Sequence, residues 1–365
     1  MIKVLQVVTH MNRGGLESML MNYYRHMDRN KVQFDFLTHR PYDGDYGEEI
    51  RQLGGVIYHL PVLNPFSPGY RRELALFFGE HPEYRIVHVH QDCLSGVILK
   101  AARACGVPVR IAHSHSANQD KNLKYPIKLW YMRQIPRYAT DLFACGKNAG
   151  DWMFGGAPYR ILNNAINAAA YCVNPEKRVQ IRQRLHLTNE LAMGHVGRFS
   201  PPKNHPFLLE IFAALLKKEP GAVLLLVGGG DDMPKIREKA RNLGILDRVR
   251  FLGVRDDVAD LMQAMDVFVF PSLYEGLPVT MVEAQASSLP CLISDRVPPE
   301  CIITEGLVEA LPLSAGPEAW ADKILAKKNT ARTDRYTEIS ARGFDITTEA
   351  AKLQEFYLNA YEQRC

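Results

Sequence analysis

The sequence predicts an α/β protein of two domains, each built on a doubly wound parallel sheet. The chain has 365 residues, about twice the length of a usual single domain. Short β-branched runs also alternate with amphipathic stretches, and this alternation restarts in the second half. Such runs are typical of parallel strands that crossover helices bury on both faces.

Eleven apolar runs are predicted strands. In the first half these are IKVLQVV (2–8), VQFDFLT (32–38), GVIYHLP (55–61), RIVHVH (85–90), VPVRIAH (107–113) and DLFACG (141–146). In the second half they are LAMGHVGRF (191–199), AVLLLVGGG (222–230), VRFLG (249–253), VFVFP (267–271) and PCLIS (290–294). Amphipathic segments such as LSGVILKAARACG (94–106) separate them, which indicates βαβ units and two Rossmann-like domains.

We place the first domain at 1–165 and the second at 166–345, with a helix in 346–365 packing back on the first. The seam falls in ILNNAINAAAY (161–171), where Asn164 and small residues interrupt the periodicity. A hinge there would let the two domains close across a cleft. The last segment carries apolar residues at helical spacing, which are Ala350, Leu353, Tyr357 and Ala360.

Composition excludes several classes of protein. Apolar residues make up 47% and charged residues 23% of the chain, as in ordinary globular proteins. No apolar run approaches the roughly 18–20 residues of a membrane span, and no signal peptide precedes the first strand. We therefore expect a cytoplasmic protein. The seven cysteines are scattered and never in C-x-x-C spacing, which argues against a disulfide or zinc framework.

Charge is unevenly distributed between the two halves. Residues 1–168 carry 20 Lys and Arg against 14 Asp and Glu, a net +6, whereas residues 169–365 carry 24 against 26, a net −2. A net charge of this size is too small to indicate a nucleic-acid-binding surface. It leaves a membrane surface or an anionic substrate as partners for the first half.

The strongest motif is FPSLYEGLPVTMVEAQASSLPCLISD (270–295). A strand ends at Pro271, and Pro278 is predicted to be the first residue of the following helix. The free N–H groups near this helix start would form an anion site at the carboxyl edge of the sheet; they belong to Gly276, Leu277, Val279 and Thr280. Glu283, one turn further, can accept the hydroxyls of a ribose, while Glu275 faces the group beyond the diphosphate.

Two further strand ends carry candidate ligands. In HVGRFSPPKNH (195–205), Arg198 and Lys203 can neutralise a departing diphosphate. In LLLVGGGDDMPKIREKA, Gly228 to Gly230 precede a helix, but Met233 stands where G-x-G-x-x-G requires its last glycine. We therefore interpret these glycines as permitting a tight turn or a close backbone approach, and expect no dinucleotide cofactor.

The first half has its own strand-end motifs. Gly14 and Gly15, between the first strand and its helix, leave a loop that no side chain blocks, so that a phosphate or sugar can approach the backbone. His113 and His115 form an exposed H-x-H pair at the end of RIAHSHSA. A metal site would require a third ligand, and none is evident nearby in sequence. Sugar contact or acid/base chemistry is the favoured interpretation.

Together these motifs resemble glycosyltransferase family four over nearly the whole chain. The resemblance is carried by Gly14–Gly15, by Gly197–Arg198 with Lys203, and by Glu275 and Glu283 as an E-x7-E pair within EGLPVTMVEA. Within that family, RIAHSHSA is similar to bacterial capsule and exopolysaccharide enzymes. Asn164–Ala165 departs from the Asn-Gly hinge of many relatives.

The resemblance implies a GT-B fold and a retaining, metal-independent hexosyltransferase with its donor in the C-terminal domain and its acceptor in the N-terminal one. The donor is a nucleotide-sugar substrate, with a UDP-sugar favoured over a GDP-sugar, and no cofactor is implied. Arg198 and Lys203 would hold the diphosphate, Glu283 the ribose and Glu275 a hydroxyl of the transferred sugar. Gly253, Val254 and Arg255 would border the base. The family's active-site histidine falls on His113 or His115, with His115 preferred.

Alternative interpretations are an epimerase or phosphorylase of the same fold, or a non-catalytic nucleotide-sugar-binding subunit. The intact Arg198, Lys203, Glu275 and Glu283 argue against the last of these.

A basic segment, KNLKYPIKLWYMRQIPRY (121–138), interleaves cations with aromatic and aliphatic residues. Its cations are Lys121, Lys124, Lys128, Arg133 and Arg137, and its apolar residues are Tyr125, Ile127, Trp130, Tyr131 and Ile135. This composition is typical of an interfacial helix. It predicts contact with the inner face of a membrane carrying a lipid-linked acceptor. The alternative is a core helix with solvated charges.

Overall fold

A computed structural model describes residues 1–116 and 125–365. The chain folds into two compact units: unit 1 comprises Met1–Ala165 and Ile346–Cys365, and unit 2 comprises Ile166–Asp345. Each unit contains one wholly parallel sheet. The predicted α/β class with two parallel sheets is confirmed.

Unit 1 holds seven strands among its described residues: β1 (Ile2–Val7), β2 (Val32–Thr38), β3 (Ile57–His59), β4 (Ile86–Val89), β5 (Val109–Ser114), β6 (Asp141–Ala144) and β7 (Arg160–Ile161). The strand order is β3-β2-β1-β4-β5-β6-β7. Its helices are α1 (Gly15–His26), α2 (Gly47–Gln52), α3 (Pro68–Glu80), α4 (Ser95–Ala104), α5 (Tyr125–Met132), α6 (Ile135–Tyr138) and α7 (Lys147–Phe154). Alternate residues of one strand enter opposite cores, as Val4 and Leu5 do.

Unit 2 repeats this plan. Its strands are β8 (Ala192–Val196), β9 (Val223–Val227), β10 (Val249–Gly253), β11 (Val267–Phe270), β12 (Cys291–Ser294) and β13 (Val308–Leu311), in the order β10-β9-β8-β11-β12-β13. Its helices are α8 (Ala168–Tyr171), α9 (Pro175–Arg184), α10 (His205–Lys218), α11 (Met233–Asn242), α12 (Val258–Ala264), α13 (Val279–Ala286), α14 (Gly316–Lys327) and α15 (Tyr336–Ala341). In both units the order reverses beside the first strand, which is the Rossmann arrangement.

The last helix, α16 (Ile346–Arg364), belongs to unit 1. It buries Ala350, Leu353, Tyr357 and Ala360, the four residues whose spacing predicts it. These side chains enter the core that also contains Phe34 and Ile111.

All eleven predicted strands are present. Most are shorter than predicted by one to three residues at an end, whereas β5 extends one residue further, to Ser114. The edge strands β7 and β13 were not predicted. β7 has two exposed residues, and β13 contains no fully buried one, so neither has the continuous apolar run of a central strand.

Residues 125–138 of the basic segment form two short helices, α5 and α6, and Lys121 and Lys124 lie outside the described residues. Helix α5 buries no residue, whereas α6 buries Ile135 in the core of unit 1. Placing Ile135 on an interfacial face was therefore wrong, because its side chain is 0% exposed. In residues 1–116 and 125–365, no helix has the length and apolar character needed to cross a membrane.

Candidate active site

The order of strands in unit 2 creates a switch point between β8 and β11. The chain leaves these neighbouring strands in opposite directions, which opens a crevice at their carboxyl ends where ligands bind in such sheets. Two hydrogen bonds tie the loops together: Leu273 N–H donates to Pro202 O at 2.8 Å, and Asn204 Nδ2 donates to Pro271 O at 3.1 Å. The predicted donor motifs at 195–205 and 270–283 therefore share one edge.

Lys203 and Glu275 form an ion pair within this crevice. Lys203 Nζ lies 2.7 Å from Glu275 Oε1, and their side chains are only 18% and 11% exposed. The ammonium also lies 4.7 Å from the centre of the Phe270 ring. The crevice therefore holds one cation and one carboxylate side by side, and both are largely shielded from water.

Arg198 is exposed at the end of β8. In the described part of the chain its guanidinium has no hydrogen-bond or ion-pair partner, so it is available to an anion. Gly197, the residue before Arg198, lies in a tightly packed position. A Cβ atom there would lie 3.0 Å from His195 Nε2 and 3.4 Å from Lys203 Cδ.

The glycines after β9 let the backbone pass close to the β8 loop. Gly228 has φ +137° and Gly230 φ +148°. A Cβ atom on Gly228 would lie 2.1 Å from Gly197 O, and one on Gly230 would lie 2.4 Å from Phe199 O. The interpretation of a close backbone approach is confirmed.

Helix α13 begins one residue later than predicted. Pro278 is its N-cap, with ψ 112°, and not its first residue, because its backbone is extended and Val279 starts the helix. Within the described residues, no acceptor is found for the N–H groups of Gly276, Leu277, Val279 and Thr280. The Thr280 hydroxyl, on the first turn, is buried and also lacks a partner. Free donors thus gather at this loop.

Glu283 is held by a residue that the sequence reasoning missed. Tyr171 donates from its hydroxyl to Glu283 Oε1 at 2.8 Å. Burial raises the pKa of Glu283, and the Tyr171 hydrogen bond opposes that rise. Oε2 has no partner among the described residues. The 112 positions between Tyr171 and Glu283 carry no spacing signal that would link them in sequence.

The predicted base-binding residues follow β10. Gly253 adopts φ +71°, a left-handed conformation that favours glycine, and Val254 is 63% exposed. Arg255 is bonded to Asp257 through Nε at 2.8 Å and Nη2 at 2.7 Å. Val254 therefore offers an apolar surface, while the guanidinium of Arg255 is fixed beside it.

In unit 1, the Gly14–Gly15 loop is less open than expected. A Cβ atom on Gly14 would meet Glu17 Oε2 at 2.3 Å, whereas nothing lies within 4 Å of one on Gly15. Glu17 lies 3.2 Å from His10 Nδ1. The expectation that no side chain blocks the loop was wrong at Gly14, because the Glu17 carboxylate covers it.

Four histidines gather on β4, β5 and the residues just after them. His88 and His90 join His113 and His115, with ring centres 5.2 Å apart for His88–His113, 5.0 Å for His90–His115 and 4.0 Å for His113–His115. Burial lowers the pKa of His88 and of His115 to about 3 and that of His90 and His113 well below the usual value.

One expectation about the H-x-H pair was wrong, namely that both rings are exposed. His113 is 0% exposed, because it lies within β5, and only His115 is partly accessible. Further imidazoles do lie nearby, because β4 pairs with β5. The signal was present in RIVHVH: a second H-x-H at a predicted strand end puts two rings on one face of the sheet.

Comparison with known proteins places these features in context. Residues 190–327 match the model "Glycosyl transferases group 1", and residues 14–161 match "Glycosyl transferase 4-like domain". The chain is 38% identical to putative glycosyltransferase EpsF of Bacillus subtilis, over 97% of this chain and 96% of that protein. It is 25% identical to the UDP-Gal:alpha-D-GlcNAc-diphosphoundecaprenol alpha-1,3-galactosyltransferase of Escherichia coli, over 76% of each.

Among solved structures, Anabaena Alr3699/HepE in complex with UDP-glucose resembles this protein with a TM-score of 0.78 at 20% identity, over 98% of this chain and 100% of that one. At this identity the likeness shows the fold, which is the GT-B type predicted from the resemblance.

Proposed function

This chain belongs to the group 1 glycosyl transferases, and we propose that it transfers a hexose from a UDP-sugar to a saccharide or lipid-linked saccharide in the synthesis of a cell-surface glycan. UDP is favoured over GDP because the galactosyltransferase relative uses UDP-Gal and the Anabaena structure holds UDP-glucose. The relative's diphosphoundecaprenol acceptor supports the lipid-linked alternative.

The ion pair between Lys203 and Glu275 carries the proposal. In the free protein each charge neutralises the other in a largely buried position, where an unpaired charge would be costly. A bound donor offers each a better-matched partner: diphosphate oxygens for the ammonium and a sugar hydroxyl for the carboxylate. After the exchange the ammonium faces an anion and the carboxylate accepts a hydrogen bond from the sugar, and Lys203 would lie beside the bond that breaks.

The surrounding groups extend this arrangement. Arg198, without a partner in the described residues, would take the outer face of the diphosphate. The free N–H groups at Gly276–Thr280 would add fixed dipoles towards the same anion. Glu283, oriented by Tyr171, would accept ribose hydroxyls, and the base would lie against Val254.

The chemistry we propose proceeds with retention and without a metal. The departing diphosphate oxygen takes the proton of the acceptor hydroxyl as that hydroxyl attacks the anomeric carbon from the same face. The new glycosidic bond forms as the sugar–phosphate bond breaks, and the negative charge that develops on the diphosphate is stabilised by Lys203 and Arg198. The acceptor would bind unit 1, where the open Gly15 and partly exposed His115 lie.

A thermal-shift screen with UDP-, GDP- and ADP-sugars tests the donor. A ligand at 100 times its Kd stabilises the native protein by about 2.7 kcal/mol, so the UDP-sugar should raise the unfolding midpoint most. Glu283→Ala should abolish that rise, while the control Lys235→Ala, at an exposed position on α11, should keep it. Equal shifts with all three donors, or none, would contradict the proposal.

Product analysis separates transfer from isomerisation. Free UDP and a glycoside with the anomeric configuration of the donor are expected when the acceptor is present. Recovery of an isomerised UDP-sugar would instead indicate an epimerase. A glycoside of inverted anomeric configuration would contradict the proposed attack from the same face.

Helix α5 supports contact with an anionic membrane surface as part of this function. None of its residues is buried, and Trp130 and Ile127 are 59% and 39% exposed. Lys128 lies on the same helix, and Arg133 and Arg137 follow it. An exposed tryptophan beside cations is the arrangement that binds the interface of an acidic leaflet, where a lipid-linked acceptor would be found.

A further inference from the structure

The histidines of β4 and β5 form a buried group that the proposed transfer does not use. His88, His90 and His113 are 1%, 4% and 0% exposed. The partly exposed His115 can serve an acceptor, but these three rings cannot reach one. They lie in unit 1, whereas the proposed donor site is built from residues of unit 2.

Three ring nitrogens in this group lack partners. His88 Nε2, His113 Nδ1 and His113 Nε2 are buried, and none has a hydrogen bond in the described part of the chain. Buried polar atoms are normally satisfied, so several orphans in one cluster require a further binding partner such as a water or an ion. A neutral imidazole nitrogen that carries no proton can bind a metal ion.

Two neighbouring polar side chains orient the rings through the nitrogens that would face away from a metal ion. The Tyr357 oxygen lies 2.7 Å from His88 Nδ1 and can accept a hydrogen bond from Nδ1–H, which leaves the lone pair of His88 Nε2 for a ligand. Gln6 Oε1 lies 2.9 Å from His90 Nε2 and can accept a hydrogen bond from Nε2–H, which leaves a lone pair on Nδ1. Hydrogen bonds of this kind, to the nitrogen opposite the metal, orient histidine ligands in metal sites.

We propose that His88, His90 and His113 bind one divalent transition-metal ion, with zinc the best match. One ligand atom from each residue lies within 4.8 Å of the others. Bonds of about 2.1 Å place tetrahedral ligands about 3.4 Å apart. The His88 ring is stacked on His90 at 27° and on His113 at 18°, so the rings must turn out of this stacking for their nitrogens to converge on one ion. His90 Nδ1 gives up its 2.8 Å contact with His115 Nε2 and takes the metal in its place.

The donor set selects the class of metal. Imidazole suits zinc, copper, nickel and cobalt, whereas magnesium, calcium and manganese prefer carboxylate, carbonyl and water oxygens. The cluster in the described residues contains histidines alone. Since the ligands come from adjacent strands, the metal would link β4 to β5 and stabilise unit 1.

Metal binding to the untagged full chain tests the proposal. After equilibrium dialysis against ZnCl₂, elemental analysis should find one zinc per chain, and zinc should raise the unfolding midpoint where magnesium does not. The double variant His88→Gln/His113→Gln should lose this zinc. His39→Gln is the matched control, because His39 is a buried histidine of the same unit outside the cluster, and it should keep it.

Cobalt substitution decides the case even if the double variant fails to fold. The wild-type chain should give a tetrahedral Co²⁺ spectrum with nitrogen ligation and no sulfur-to-cobalt charge transfer, which separates the histidines from the seven free cysteines. No retained zinc, a sulfur-ligated cobalt spectrum, or undiminished binding by a folded double variant would each overturn the assignment.

Discussion

At the scale of single residues, the proposed donor crevice combines charges that are matched in the free protein. Lys203 and Glu275 are 72 positions apart in sequence, yet they form the most enclosed ion pair of the proposed site. Arg198 differs from both because it is exposed. We therefore expect Lys203 to act through a change of partner, and Arg198 through a contact that forms only when an anion binds.

Replacing either cation should affect turnover more than donor affinity. Loss of one group that stabilises developing charge costs about 10²–10³ in rate, and both Lys203→Ala and Arg198→Ala should fall in this range for kcat. Steady-state kinetics with a UDP-sugar measure this. Glu275→Gln combined with Lys203→Ala shows whether a stranded carboxylate contributes to the loss. An unchanged kcat in both single variants would contradict the proposal that Lys203 and Arg198 stabilise the diphosphate.

Tyr171 should influence donor binding through Glu283. Glu283→Ala should mainly weaken binding of UDP, because its carboxylate is assigned to the ribose. Tyr171→Phe removes one hydrogen bond, worth about 0.5–1.5 kcal/mol, so the Kd should rise by roughly 2- to 10-fold. Calorimetric titration gives both values. Tyr361→Phe on α16, in unit 1, is the control, and an equal effect there would refute the specific role of Tyr171.

At the scale of elements, strand ends and helix starts decide where polar groups are confined. His205 begins α10 and is 2% exposed, with its ring stacked on Phe199 at a centroid distance of 4.3 Å. Burial, and then the charge of Lys203, lower the pKa of His205 to about 4, while Asp232 opposes the shift. The folded protein therefore binds this proton less readily than the unfolded chain does.

This shift predicts a loss of stability in acid. Above pH 6.5 His205 is neutral in both states, so it gives no pH dependence. Between pH 6.5 and about 4 the unfolded chain binds the proton first, and the free energy of unfolding falls as pH falls, by about 1.4 kcal/mol per pH unit for this group. Denaturant titrations should show a shallower fall in His205→Gln than in the exposed control His26→Gln. Identical slopes would contradict the assignment.

Helix α5 should bind acidic vesicles. Co-sedimentation with phosphatidylglycerol liposomes at low salt should exceed that with neutral liposomes, because each cation near an anionic surface contributes about 1 kcal/mol. Trp130→Ala combined with Lys128→Glu should reduce binding. Tyr42→Ala, an exposed aromatic residue elsewhere in unit 1, should not. Equal binding to both lipids would favour an acceptor in solution.

At the scale of the whole molecule, two sheets that share the order of their first six strands carry different chemistry. Unit 2 gathers cations, carboxylates and free N–H groups beside the β8–β11 switch point. Unit 1 gathers uncharged imidazoles on β4 and β5, together with the His10–Glu17 contact near the glycine loop. The division agrees with a diphosphate donor in one unit and a sugar acceptor in the other.

Transfer should survive metal removal. In the proposed mechanism Lys203 and Arg198 take the place of a divalent cation at the diphosphate, so EDTA should leave the initial rate of UDP release unchanged in assays run well below the unfolding midpoint. Chelation should instead lower that midpoint if unit 1 holds zinc. Activity that disappears with EDTA and returns with Mn²⁺ would show that the two cations do not suffice.

The sequence alone determined the class of fold, the central strands and the positions of the strand-end motifs. Those features depend on local patterns: buried β-branched runs, helical spacing in α16, and glycines or charged residues where a run stops. Edge strands such as β7 were not predicted, because little of their surface is buried and their sequences therefore lack a continuous apolar run. The start of α13 was predicted one residue too early, because a proline at the N-cap and a proline at the first helical position cannot be told apart in sequence.

Only the tertiary structure decided which strand ends meet. The sheet order sets β8 beside β11 and β4 beside β5, and thereby joins Lys203 to Glu275 and one H-x-H pair to the other. It also brings Tyr171 to Glu283. These contacts depend on long-range strand order and helix packing, for which side-chain periodicity along the chain carries no information.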